Sequence, residues 1–271
     1  MPILLITQLG SAWLGTGQTG TTNSSLAMTG QSVNVGDFVI AGCCAHGAGS
    51  ITALAPASSL GNTYGSLGTV SPTNTEFALY GGFVTVGGTE TITWSWSTTT
   101  GAAAAVATRW AGVAGTTGAN AEDIAVTTNS GTTSLSITSG TSPATKMGND
   151  LVIAFYGATG GASLAVLSAE AFTPAGTAFH VPDGNASATG TDHTIVEMSE
   201  TLSGAAGTTQ SFAATSSVSA TVGCILVALK PRGVNQPSAV LQAVNRAATW
   251  CREFDRSDRL WLPKRRIFLP A

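Results

Sequence analysis

Nine runs of strand length, the longest of eleven residues, limit what this chain can fold into. They are ILLIT (3–7), DFVIAGCCA (37–45), EFALYGGFVTV (76–86), TITWSWS (91–97), AAAAVATRW (102–110), SLSIT (134–138), DLVIAFYGA (150–158), TIVEMSETL (194–202) and TVGCILVAL (221–229). Clusters of Gly, Asn, Ser or Thr bound each run, and these residues favour turns because they tolerate unusual backbone angles or bond to their own backbone. In the fourth run Ile92, Trp94 and Trp96 alternate with Thr93, Ser95 and Ser97. A two-residue period gives a strand one buried and one wetted face, as antiparallel sheets require. Long helices are nearly excluded. Charged residues make up 9% of the chain, against about 25% in an average soluble domain. The polar surface therefore falls to Ser, Asn, 40 Thr and 33 Gly.

An internal repeat sharpens the expectation. DFVIA at 37–41 returns as DLVIA at 150–154, and Ala45, Gly47 and Ser50 are matched by Ala158, Gly160 and Ser163. A weaker echo relates 94–107 to 212–225 at an offset of 118. Two similar halves, about 30–115 and 145–230, predict an all-β fold: a jelly-roll-like antiparallel β-sandwich whose body spans 1–231 and whose two sheets close over one core. Two separate small sandwiches are the alternative reading.

Charge divides the chain unevenly. Residues 1–229 hold two basic residues, Arg109 and Lys146, against eleven acids, a net −9; residues 230–271 hold nine basic residues against three acids, a net +6. Lys230-Pro231-Arg232-Gly233 ends the last strand, and Pro237 precedes Val240, Leu241, Val244, Ala248 and Cys251 at helical spacing. The region 232–271 thus reads as a short helix over 238–251 followed by an extended arm. The arm carries Arg252, Arg256, Arg259, Lys264, Arg265 and Arg266, interleaved with Trp250, Phe254, Trp261 and Phe268. Each large apolar side chain gains about 1.5 to 3 kcal/mol on burial, so the arm is read as a protein-docking element, with packing against its own acidic body as the alternative. Binding to nucleic acid or membrane is not expected.

Catalytic signals are sparse. Gly15, Gly17 and Gly20 satisfy dinucleotide spacing, but Thr21, Thr22 and Asn23 follow where a helix must begin. His46, His180 and His193 are dispersed; His46 lies close enough to Cys43 and Cys44 to invite a thiol–imidazole pair, with a strand-end histidine as the blander reading. Cys43, Cys44, Cys224 and Cys251 lack zinc-site spacing and are expected reduced, the adjacent pair pointing to opposite faces of a strand. Glu122-Asp123 and Asp183-Gly184-Asn185 could offer oxygens to calcium but lack the density of a dedicated loop. Asp37 and Asp150 open equivalent strands, where turn capping is the expected role. Arg109-Trp110 is either a stacked pair or the edge of the core. Trp94 and Trp96, on one strand face, either form a glycan-stacking platform or fill the core, and the polar residues between them favour the core. No enzyme activity, cofactor or metal is expected.

VGDFVIA at 35–41, TITWSWSTTTGAAAAVATRWAGV at 91–113, NDLVIAFYG at 149–157 and ATVGCILVALKP at 220–231 resemble short strand motifs in β-sandwich virion proteins of tailed bacteriophages and gene-transfer particles. The resemblance spans roughly 30–231 and implies a minor tail component, a head decoration or a spike or fibre protein. It brings no catalytic residue, and the segment from Gly233 onward lies outside it. The expectation is a virion structural protein, synthesised in a host cytoplasm because MPILLITQLG lacks the features of a secretory signal. It would be oligomeric, with other virion proteins as partners, preferably in the tail. A carbohydrate-binding module recognising a host-surface glycan is the second reading.

Overall fold

Period-two runs joined by turn residues form thirteen strands among the described residues. The computed structural model describes residues 6–9, 13–47, 49–52, 55–115, 118–160, 165–175, 183–187 and 193–232. The first half contributes β1 (Thr7–Gln8), β2 (Trp13–Val33), β3 (Phe38–His46), β4 (Ala57–Ser58), β5 (Gly65–Val70), β6 (Thr75–Phe83) and β7 (Gly88–Ala111). A single helical turn, α1 (Gly118–Ala121), leads to β8 (Thr127–Thr141), β9 (Leu151–Thr159), β10 (Leu167–Thr173), β11 (Asp183–Ser187), β12 (His193–Leu202) and β13 (Ser211–Leu229). Every strand pairing among the described residues is antiparallel.

The halves share a common arrangement around one long hub strand, although the first sheet has seven strands and the second six among the described residues. In the first sheet β7 pairs with β1, β2, β3 and β4, and the order continues β3-β6-β5; in the second, β13 pairs with β8, β9 and β10, and the order continues β9-β12-β11. Register carries the repeat further. Phe38 lies opposite Trp110, and its counterpart Leu151 lies opposite Leu229, an offset of 119 for this end of the hub strands where the sequence echo suggested 118. The all-β antiparallel sandwich follows the expectation, but the chain reaches it by its own route. A jelly roll interleaves the two sequence halves between its sheets, whereas here each half completes one sheet before the other begins.

The long hub strands fold back over their own sheets. Tyr80 pairs with Ala41, which pairs with Ala107 on β7; Trp94, thirteen residues earlier on β7, would lie roughly 40 Å from Ala107 on a straight strand. Its ring centroid is instead 5.5 Å from that of Tyr80. The second half repeats this bend, for Tyr156 pairs with Cys224 while its ring meets that of Phe212, twelve residues upstream on β13, at 4.5 Å. β8 follows the same curl, with Asn129 Nδ2 donating to Thr138 Oγ1 at 2.8 Å.

Bending yields three apolar layers. Leu26, Met28, Ile92, Trp94 and Trp96 cover Val39, Ala41 and Cys43 on the outer face of the first sheet. Phe172, Phe212 and Ile137 cover Val152, Ala154 and Tyr156 on the outer face of the second. Between the sheets lies a shared layer that includes Phe38, Ile40, Cys44, Phe77, Trp110, Ile153, Phe155 and Val227. Cys43 and Cys44 fall in different layers, as adjacent strand residues must.

The shared layer is keyed by aromatic rings over glycines. A Cβ on Gly42 would stand 2.2 Å from the Phe155 ring, and one on Gly223 2.4 Å from the Phe77 ring. Both rings are fully buried and have nowhere to retreat. Overpacking a tight core costs about 1 to 3 kcal/mol. Gly42→Ala and Gly223→Ala should each lower the unfolding free energy by that amount, read as a lower midpoint of chemical denaturation, while Gly204→Ala, with nothing within 4 Å of its added Cβ, should leave the midpoint nearly unchanged. Unaltered midpoints for both core variants would contradict the keyed packing.

Candidate functional site

The residues singled out by sequence fall into separate environments. The arm residues Trp250, Arg252, Phe254, Arg256, Arg259, Trp261, Lys264, Arg265, Arg266 and Phe268 lie outside the described residues, as do the 238–251 helix, Cys251 and His180. Trp94 and Trp96, the candidate glycan platform, are 0% and 5% exposed. The folded-back part of β7 turns them onto its own sheet, so they are core residues and offer no open ring face to a sugar. Gly15, Gly17 and Gly20 lie within β2, with a strand where a nucleotide site needs a helix. Asp183 and Asn185 lie in β11 rather than in a loop. Arg109 and Trp110 do not stack: the guanidinium Nε lies 3.4 Å from Asp37 Oδ2, while the buried indole donates to Thr108 Oγ1 at 2.8 Å.

Cys43, Cys44 and Cys224 are free and buried. Burial pushes all three thiols up, the Glu76 charge adding to the effect at Cys43 and the neighbouring Cys43 and Glu76 at Cys44. Because the thiolate is the nucleophile, these groups are held in their inert form. His46 closes β3 and its Nδ1 lies 2.8 Å from Thr75 Oγ1, as the strand-end reading expects. Ellman's reagent should leave these three thiols unreacted in the native body and titrate them in denaturant; rapid labelling of native Cys43 or Cys44 would overturn this assignment.

Beside His46 an open groove of about 330 Å³ joins the two halves. Thr73 and Asn74 line it from the first half, and Thr132, Thr133, Gly160 and Thr221 from the second. Asn74, Thr133 and Gly160 all have left-handed φ, of 58°, 58° and 74°. For the β-branched Thr133 that conformation is unusual. The lining is hydroxyl, amide and imidazole, without the aromatic face on which a sugar ring stacks.

The acids change the meaning of the −9. Asp37, Glu76, Glu90, Asp123, Asp150 and Glu200 are all buried. Asp37 behaves as expected, accepting the Asn34 N–H at 2.9 Å across its turn and facing Arg109. Its counterpart Asp150 does not, since Ala228 occupies the place equivalent to Arg109, and neither Asp150 oxygen has a donor among the described residues. Glu90 accepts from Ser58 Oγ and from Asn62 Nδ2 at 3.2 Å, and Asn62 Oδ1 in turn accepts the N–H groups of Thr85 and Val86, knitting two loops. Burial and an opposing Asp123 raise Asp150 to about 8, with Lys230 pulling the other way.

Glu200 is 3% exposed and neither of its oxygens has a hydrogen-bond partner among the described residues. It lies opposite Ile153 in register, on the face turned toward the shared layer. Burial raises it to about 8. An unfolded Glu titrates near 4.3, so between these values the native chain holds a proton that the unfolded chain has released. Stability is therefore full below the unfolded value and falls as pH rises toward about 8. Thermal unfolding should show a lower Tm at pH 8.5 than at pH 5, and Glu200→Gln should raise Tm at pH 8.5 with little effect at pH 4; identical profiles would refute a buried, ionisable Glu200.

No family model matches the chain, and neither a curated protein nor a solved structure shows significant similarity to it.

Proposed function

We propose that this chain is a structural protein of a phage-like virion: a surface-displayed β-sandwich held to neighbouring virion subunits by its C-terminal arm. A minor tail protein is the preferred assignment; a head decoration or a capsid spike or fibre is the alternative. The observation that carries the reading is the contrast between the two regions. The body buries its thiols, its paired tryptophans and six of its acids, while nine of the eleven basic residues and a set of large aromatics are gathered after Leu229. A side-chain set of that kind is expensive to leave in water and suits a protein interface, where aromatic and Arg residues dominate binding energy.

Burial of the acids also assigns the work of holding. A buried acid offers little to a basic arm, so steering by an acidic neighbouring body is weak, and attachment rests on Trp261, Phe268 and the leucines around them. The carbohydrate-binding reading loses its platform with the burial of Trp94 and Trp96.

Deleting 250–271 should leave the body folded, as judged by circular dichroism, yet abolish its incorporation into particles or oligomers. Trp261→Ala should weaken incorporation more than Lys264→Ala, and raising salt from about 0.1 to 1 M, which shortens screening from about 10 to 3 Å, should change it little. Normal assembly of the truncated chain would rule out the tether; strong salt sensitivity would return the main role to charge.

A further inference from the structure

Strands β3 and β9 begin with the same backbone device. In the first sheet the Gly36 N–H donates to Val84 O and the Val84 N–H to Asp37 O, both at 2.9 Å. In the second the Asn149 N–H donates to Ser203 O at 3.0 Å and the Ser203 N–H to Asp150 O at 2.9 Å. Gly36 and Asn149 both have left-handed φ, of 95° and 61°. Each is a β-bulge opened by a left-handed residue, which sets Asp37 opposite Val84 and Asp150 opposite Ser203. Register extends the match: Val39 lies between Gly82 and Arg109, and Val152 between Thr201 and Ala228.

The side chains at these equivalent places differ in kind. Around Asp37 stand Val84, Gly82 and Arg109, whose Nε lies 3.4 Å from the carboxylate. Around Asp150 stand Ser203, Thr201 and Ala228, so an alanine replaces the internal cation and two hydroxyls replace a valine and a glycine. Val152 and Ala228 belong to the outer layer of the second sheet, and strand alternation puts Asp150, Thr201 and Ser203 on that same face, with Glu200 on the other. Asp150, Thr201 and Ser203 are 0%, 1% and 2% exposed. None of their four side-chain oxygens has a hydrogen-bond partner among the described residues. Buried oxygens in that condition are costly unless a ligand binds them.

We propose that Asp150, Thr201 and Ser203 form a binding site for a hard, calcium-sized cation, sodium or calcium, which serves the second half as the Arg109 guanidinium serves the first. The donors are all oxygens, the set such ions take, and among the described residues no three His, Cys, Asp or Glu side chains gather for a transition metal. The two hydroxyls stand on Cβ atoms about 7 Å apart, two residues along an extended chain. An ion with oxygen ligands at about 2.3–2.6 Å bridges that span. Two other charged groups border the site. Lys230 adds a positive charge from the end of β13 without bonding to Asp150. Asp123, held beside Ala228 by its N–H to Ala228 O at 2.9 Å, commits one carboxylate oxygen to the N–H groups of Lys146 and Met147. Without the ion, neutralisation of Asp150 falls to a proton.

The site belongs to the body, and its test does not depend on the proposed attachment. Full-length chain is treated with chelator and dialysed into choline chloride at pH 8.5, above the value of about 8 to which burial raises Asp150. Thermal unfolding is then followed against NaCl in one series and CaCl2 in another, at constant ionic strength. One of the two ions should raise Tm saturably, by about 5 to 10 °C at a concentration about 100 times its Kd. Asp150→Asn should remove the rise. Ser203→Val installs the residue that the same bulge accommodates in the first half, and it should remove most of the rise; if Asp150→Asn fails to fold, Ser203→Val carries the comparison. Ala228→Arg, which supplies an internal cation, should raise Tm in ion-free buffer and abolish the response. No saturable rise with either ion, or a rise that persists in the site variants that fold, overturns the site.

Discussion

Two aromatic rings seated over two glycines fix how the halves of this protein meet. Phe155 fills the space a side chain would occupy at Gly42, and Phe77 does the same at Gly223. The first pair follows from duplication in an unexpected way: Gly42 and Phe155 occupy equivalent places in the repeat that aligns 37–41 with 150–154. One copy of the position supplies the ring and the other the hollow. Interiors pack as densely as organic crystals, so such a contact tolerates little sliding of one sheet over the other. The relative setting of everything carried on β3, β6, β9 and β13 is determined by it.

From that setting follows the burial of polar groups. Closing the shared layer leaves Glu200 on that face without a hydrogen-bond partner among the described residues. The halves differ here although their topology agrees. Asp37 has Arg109, whereas Asp150 has lost the equivalent cation to Ala228 and relies on a proton. A buried carboxyl without a donor is costly when ionised, which makes the second half, with Asp150 and Glu200, the pH-sensitive one.

A body with so few exposed charges also bears on the proposed role. In the proposed role, a terminal segment that carried the attachment would leave the sandwich free to present its remaining surface.

Composition and period-two patterning were enough to establish an all-β antiparallel fold, because strand length and alternation are local properties. The repeat at 37–41 and 150–154 disclosed two halves, and the adjacency of Cys43 and Cys44 required that they diverge. The long strands were harder to read. TITWSWS and AAAAVATRW read as two strands because Thr98, Thr99, Thr100 and Gly101 resemble a turn, yet β7 runs through them and bends. β2, β5 and β10 escaped notice because Gly, Thr and Ser dilute their apolar signal. Which face of Trp94 met a sugar or a core, and whether the acids made a surface charge or a buried one, depended on contacts between residues far apart in the chain. Only the folding-back of β7 over β6, and of β13 over β9, decided them, because burial is a property of what lands on a residue and not of the residue itself.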